Sequence, residues 1–336
     1  MQQKYIYIPL SEPIPINEQV WPEGTLPLVS ICSITYNHEP FIRECLEGFL
    51  MQKTTFPVEI IIHDDASTDK TAEIIKEYEL KYPNLFKPIY QVENQFSKKQ
   101  GSIYARFVYP KVIGKYIALC EGDDYWIDPL KLQKQVDFLE ANPEYVLTSH
   151  QYAIYDYEKQ IYIDNSQRKL FKKNNGLSFN QSYALNHDVT KTLTLLYRYS
   201  ALRNSRFTNI KFKYSRDTIM VYFLMTQGLG YCFKDIMGCY NLNENSIYGK
   251  VSKKNRIKSS FLSVQELYRN THSFNSLKLY CNVFIHYVYY SKGKALFIKG
   301  IEPIVYFSFL YFLPYKTIKF TIKIFNNFKS RCFKVL

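Results

Sequence analysis

The chain has 336 residues, 46% of them hydrophobic, enough for a substantial core in one large domain or two smaller ones. Its net charge of +13 is uneven: residues 1–150 carry 14 basic and 21 acidic residues, residues 151–336 carry 29 and 9. Seven cysteines, odd in number and never in a Cys-x-x-Cys pair, exclude a disulfide scaffold and fit a reducing compartment, and the six histidines lack zinc spacing.

The first 26 residues carry four prolines, at 9, 13, 15 and 22, with Pro27 directly after, and they read as an extended arm without the apolar core of a signal peptide. Residues 29–34 then form a short buried strand. Pro40 suits the first turn of a helix, and Phe41, Ile42, Cys45, Leu46, Phe49 and Leu50 recur at helical spacing along one face. Strand 58–62 is followed by a helix from about 69 to 82 with Ser67 or Thr68 as its cap. A strand at 88–92, a helix at 102–112 and a strand at 116–120 come next. Asp128 is placed to cap a helix with Pro129 at its first position, and Leu132, Val136 and Leu139 form its buried face. Strand 145–149 closes this series. Alternating strands and helices predict an α/β fold, a mostly parallel sheet with helices on both faces. From 151 to 250 the pattern is less regular, and beyond 255 aromatics alternate with Lys and Arg.

Acids gather where strands end. Glu121-Gly122-Asp123-Asp124-Tyr125-Trp126 follows the apolar run 116–120, and His63-Asp64-Asp65-Ala66-Ser67-Thr68-Asp69 follows strand 58–62. The first strand runs into Thr35-Tyr36-Asn37. Open α/β sheets bind ligands at the carboxyl ends of their strands. Clustered carboxylates there repel unless a cation offsets them, and a hard divalent ion carrying a diphosphate would do so. There is no Gly-x-Gly-x-x-Gly and no phosphate-loop motif.

These three segments, in this order, resemble the inverting family 2 glycosyltransferases of the GT-A fold. The longer string through Asp128-Pro129 and Lys131-Leu132 is similar to a bacterial branch that builds capsule, O-antigen and exopolysaccharide. The resemblance is strong over about 27–150, weaker to about 250 and absent beyond. It implies a donor-binding half at 27–150 and an acceptor and catalytic-base half at 151–250, while the basic, aromatic composition of 251–336 reads as a helical C-terminal extension. It places the nucleoside of a sugar donor, expected to be UDP-linked, against Thr35, Tyr36, Asn37, Asp64 and Asp65. Asp65 is the candidate for reading the base, unless these acids only cap the following helix. Asp123 and Asp124 are the candidates for the diphosphate and for Mn2+ or Mg2+. Glu121 stands where the family's pattern has its first Asp.

The resemblance also implies an acid about a hundred residues onward as the base that deprotonates the acceptor hydroxyl. Asp217 fills that role, with Asp188 as its rival. Trp126, Thr192, Thr194 and Arg198 are candidate acceptor contacts, and Lys98, Lys99 and Arg106 could face phosphates. The family's acceptors are lipid-linked glycans, so the expected location is the cytoplasmic face of the cell membrane. No uncharged run reaches the ~18–20 residues that span a bilayer, but residues 303–336 interleave apolar groups with lysines in a pattern suited to an anionic surface. Nucleic acid is not an expected partner. The competing readings are a nucleotidyltransferase, which would carry a Gly-rich basic phosphate loop, and a non-catalytic carbohydrate-binding module, which would not need Asp65, the 121–124 acids and Asp217 together.

Overall fold

The structure is a computed structural model and describes residues 7–98, 100–163, 176–210, 212–214, 217–243 and 252–290. The N-terminal arm is pinned by a two-residue strand, Ile14–Pro15 (β1). Val29–Thr35 (β2) leads to helix Ile42–Leu50 (α1), whose buried residues are those of the expected apolar face. Lys53–Thr54 (β3) pairs antiparallel with β1. Val58–Asp64 (β4), helix Thr71–Lys81 (α2), Phe86–Tyr90 (β5) and Tyr116–Leu119 (β6) follow.

Strands β2, β4, β5 and β6 are mutually parallel where they pair, with Val29 opposite both Val58 and Tyr116. Parallel neighbours need a crossover between them, and the helices supply it. Buried on one face, Val29, Ile31, Ile60, Ile62 and Ala118 form one core with Ile42, Leu46 and Phe49 of α1.

Tyr125–Trp126 (β7) precedes helix Lys131–Ala141 (α3), and Tyr145–Asp156 (β8) is far longer than expected. Ile161–Ile163 (β9) folds back on β8. Then come Gly176–Phe179 (β10), helix Gln181–Asn186 (α4), Leu196–Arg198 (β11), helix Tyr199–Asn204 (α5), helix Asp217–Leu224 (α6) and Leu229–Leu242 (β12). The ten-stranded sheet has the order β10-β12-β8-β11-β6-β2-β4-β5, with β7 on β12 and β9 on β8. β11 is antiparallel to both β6 and β8, and β12 is parallel to β8. β8 runs through residue 151 without a break, so both halves of the expected enzyme share one sheet.

Three local expectations shift. β5 starts at Phe86, which is buried, and tolerates Pro88 because it is an edge strand. Residues 104–111 form a π turn and a 3-10 turn rather than an α-helix, since Pro110 has no N–H for the helical ladder. Asp128 does not cap α3 directly. Its carboxylate accepts from Leu130 N at 2.8 Å and from Lys134 Nζ at 2.6 Å, holding the turn before the helix.

The chain divides into two compact units, 1–249 and 250–336. The described part of the second is a helical hairpin of Lys253–Thr271 (α7) and Phe274–Tyr290 (α8), turned at His272 in the left-handed region. Phe261, Tyr280 and Phe284 are buried in this hairpin, and Gln265 donates to the Tyr280 hydroxyl at 2.7 Å. The candidate membrane segment 303–336 lies outside the described residues. Among the described residues, no helix is long and apolar enough to cross a membrane.

Candidate active site

Because β2, β4 and β6 are parallel, their C-terminal ends share one edge, and the acidic loop after β6 folds over the end of β2. Gly122 N donates to Ile34 O at 3.0 Å. A Cβ on Gly122 would meet Thr35 Cβ and Oγ1 at 2.8 Å and His38 Nδ1 at 3.0 Å, so only glycine allows this approach. The loop closes on itself through Asp124 N to Glu121 O at 3.0 Å. One ligand oxygen from each of Glu121, Asp123 and Asp124 lies within 4.8 Å of the others.

The three acids sit at different depths: Asp124 is buried, Asp123 is half-buried, and Glu121 is exposed. Asp124 accepts from Asn241 N at 3.0 Å, and the Asn241 side chain donates to Asp123 O at 2.7 Å. His38 Nε2 stands 3.8 Å from Asp123. Desolvation, then Asp123, then Asp217 push the Glu121 carboxyl up to about 8. Desolvation, followed by repulsion from Asp123 and Glu121, holds Asp124 well above the carboxylate range. An all-oxygen set under such repulsion fits a hard divalent cation, which would relieve it.

The second acidic strand end is a laced turn. Asp64 accepts from Ser67 N at 3.1 Å and Ser67 Oγ at 2.5 Å. Asn37, at φ +55°, donates its N–H to Ser67 Oγ at 2.9 Å and accepts from Thr68 N at 2.7 Å. Neither Ser67 nor Thr68 caps the following helix, whose N-cap is Lys70; Asp69, just before it, accepts from Thr71 N at 3.0 Å and from Glu39 N at 3.1 Å. Asp65 is buried, and its two oxygens accept from Gln95 N at 2.8 Å and Phe96 N at 2.9 Å. It therefore fixes the 94–97 loop beside the strand end. Arg106 lies over the Phe107 ring at 4.6 Å and donates to Gln95 and Gln100, leaving a buried Nη1 with no protein partner. Thr35 is buried with its Oγ1 unpartnered beside Gly122, and Tyr36 is half-buried.

Asp217 is exposed at the start of α6, and its charge helps to raise the Glu121 carboxyl. Asp188 is also exposed and accepts from Tyr152 OH at 3.2 Å.

Three proposed acceptor contacts are corrected. Trp126 is 1% exposed, donates to Leu193 O at 2.8 Å and packs on Phe49, because β7 turns it into the core. Thr194 is buried and its hydroxyl donates to Lys191 O at 2.7 Å. Arg198 pairs with Tyr116, at the start of β6 and so at the end opposite the acids. Its guanidinium donates to Tyr145 O, Tyr116 OH, Leu139 O and Asn142 O. Lys98 pairs with Glu93 at 2.6 Å, and Lys99 lies outside the described residues.

Sequence reasoning missed His38, Asn241 and Lys191. His38 had a signal, since it directly follows Thr35-Tyr36-Asn37. Asn241 had none: it is 117 residues from the acid it holds. Lys191 carries its charge to both Glu121 and Asp124.

The family model described as Glycosyl transferase family 2 matches residues 30–203. An uncharacterized protein of Mycobacterium tuberculosis, Rv1520, is 52% identical over 124 residues, covering 36% of this chain and 34% of that protein. The match thus spans about a third of that relative's length. The Escherichia coli protein WfaP, named UDP-Glc:alpha-D-GlcNAc-diphosphoundecaprenol beta-1,3-glucosyltransferase, is 34% identical over 131 residues, 39% of this chain and 48% of WfaP. S. aureus TarS residues 1–349 in complex with UDP-GlcNAc share the fold at TM-score 0.58 and 18% identity, over 81% of this chain and 76% of that one. PcManGT from Pyrobaculum calidifontis, solved with GDP-Man and Mn2+, matches at TM-score 0.51 and 14% identity, over 90% and 87%.

Proposed function

This chain belongs to glycosyl transferase family 2, and we propose that it moves one sugar from a UDP-linked donor onto a lipid-linked glycan during surface polysaccharide synthesis. The observation that carries the reading is the convergence of Glu121, Asp123 and Asp124 at the end of β6, with the charge of Asp217 acting on Glu121. The donor and acceptor classes rest on the name of WfaP, and the use of a metal on the Mn2+ bound by PcManGT together with the oxygen donor set here.

In this reading Asp123 and Asp124 hold Mn2+ or Mg2+, which when bound neutralises charge on the departing diphosphate. Thr35, Tyr36 and Asn37 seat the nucleoside, and Asp64 keeps their loop in place through Ser67. Asp65 shapes the base pocket by fixing the Gln95–Phe96 amides, with Arg106 on its wall. Asp217 takes the proton of the acceptor hydroxyl as that oxygen attacks the anomeric carbon. A single in-line attack inverts the anomeric centre, with oxocarbenium-like character. The basic extension at 251–336 brings the enzyme to the anionic face of the membrane, where such an acceptor resides.

The test is release of nucleoside diphosphate from a panel of UDP- and GDP-sugars, with Mn2+ or with chelator. Asp124→Ala should abolish metal-dependent release while the fold persists. Full release by that variant, or neither release nor nucleotide binding by the wild type, would refute the assignment.

A further inference from the structure

Lys191 sits where the acidic recess meets the acceptor half, on a segment held firmly to the strand that carries the acids. Leu119 N donates to Leu195 O at 3.0 Å, two residues before Glu121. Trp126 Nε1 donates to Leu193 O, and Thr194 donates to Lys191 O through its N–H at 2.9 Å and its hydroxyl. The Lys191 backbone therefore has a fixed place, while its side chain is half-buried. The ammonium rests 4.5 Å from the centre of the Tyr240 ring. Tyr240 precedes Asn241, whose amide holds Asp124.

The electrostatic balance of this recess is one-sided. Glu121, Asp123, Asp124 and Asp217 crowd it with acids, and among the described residues Lys191 is the lysine whose charge reaches both Glu121 and Asp124, favouring their ionised forms. Yet no carboxylate lies within 4 Å of its ammonium among the described residues. A lysine serving only to neutralise an acid would sit in contact with one. An ammonium on an aromatic face keeps its three N–H donors available to a ligand.

We propose that Lys191 contacts the β-phosphate of the donor and stabilises the charge gained by the departing nucleoside diphosphate. The inference rests on the transfer reaction proposed above. In that step the acceptor oxygen bonds to the anomeric carbon and gives its proton to Asp217. The bond from that carbon to the β-phosphate oxygen breaks, and its electron pair stays on the phosphate. UDP as product thus carries one more negative charge than UDP as part of the donor. A cation aimed at that oxygen binds the product and the transition state more tightly than the ground state.

The experiment compares Lys191→Gln and Lys191→Arg with the wild type. Calorimetry gives the affinity for UDP and for UDP-sugar in the presence of Mn2+, and steady-state assays give kcat with the KM of each substrate. The Gln variant should weaken UDP binding about tenfold and donor binding far less, and lower kcat by about 10- to 100-fold with little change in donor KM. The Arg variant should recover most of both losses. Unchanged UDP affinity in Lys191→Gln overturns the proposal, and calorimetry gives that answer even if the wild type transfers nothing under the assay conditions. A rise confined to acceptor KM would reassign Lys191 to the acceptor. Equal losses in both variants with a lower melting temperature would make its role structural. Absence of transfer by a wild type that binds UDP would count against the proposed reaction alone.

Discussion

Lys131 offers a quantitative test of how this protein carries a charge in its interior. The residue is 0% exposed, donates to Gln135 Oε1 at 2.8 Å and lies 3.9 Å from the Trp126 ring centre. Burial pushes its ammonium from 10.5 down to about 7, with Cys120 and then Asp128 acting in the opposite direction. The unfolded chain therefore binds a proton at this site between about pH 7 and 10.5 that the folded chain does not. Stability must rise with pH across that window, by up to ~1.4 kcal/mol per unit. The whole window is worth about 5 kcal/mol, the cost below pH 7 of burying or neutralising this amine. Lys131→Met keeps length and apolar bulk and removes the titration, at the loss of one hydrogen bond worth ~1 kcal/mol.

The variant's stability relative to wild type should therefore be greatest near pH 7 and fall as pH rises. Between pH 7.5 and 9.5 the difference should shrink by roughly 2–3 kcal/mol, with other titrations cancelling in the comparison. Urea unfolding followed by Trp126 fluorescence at the two pH values measures it. A difference that stays constant with pH would show that Gln135 and the Trp126 face keep Lys131 charged, and the argument from desolvation would fail.

Asp217→Asn should keep UDP affinity and lower transfer by ~10²–10⁴-fold, the span of general-base loss; loss of UDP binding instead would place Asp217 in the donor pocket and make Asp188 the leading base. Gly122→Ala should displace the acidic loop, because the 2.8 Å contacts with Thr35 are to a buried side chain; we expect weaker Mn2+ binding by calorimetry and a lower melting temperature, and wild-type values for both would contradict the close approach. Arg198→Met removes a guanidinium that donates to four neutral acceptors at the far end of the sheet, of which Tyr116 OH, Leu139 O and Asn142 O keep other hydrogen bonds, and should cost roughly 1.5–3 kcal/mol in chemical denaturation. Folded enzyme should keep its acceptor KM, and a raised KM would restore the acceptor role.

The strand ends were legible in the sequence because they are local: apolar runs of five or six residues stop at Thr35, Asp64 and Glu121, and parallel pairing then forces those ends together. The use of each acid was less legible. Asp64 and Asp65 read alike, yet one holds a turn and the other a distant loop. Trp126 follows two acids and reads as part of their surface, but β7 pairs with β12, and strand alternation sends Tyr125 outward and Trp126 into the core. Arg198 belongs to a strand whose reversed direction has no signature in three residues, and that reversal carries it away from the chemistry. Asn241 depends on the pairing of β12, which no nearby pattern announces.

The grip of Asn241 on the acidic loop gives the protein an order of assembly. A ribosome delivers residues 27–150, with every acid of the recess except Asp217, well before residue 241 emerges. Until β12 arrives, Asp124 lacks the amide that offsets its burial and Asp123 lacks the side chain bonded to its carbonyl. The nascent front half thus has the outline of a donor pocket with its acids unbraced. The last strand of the sheet acts as a late keystone, so a chain cut before it would be left without a competent centre however well its first strands had folded.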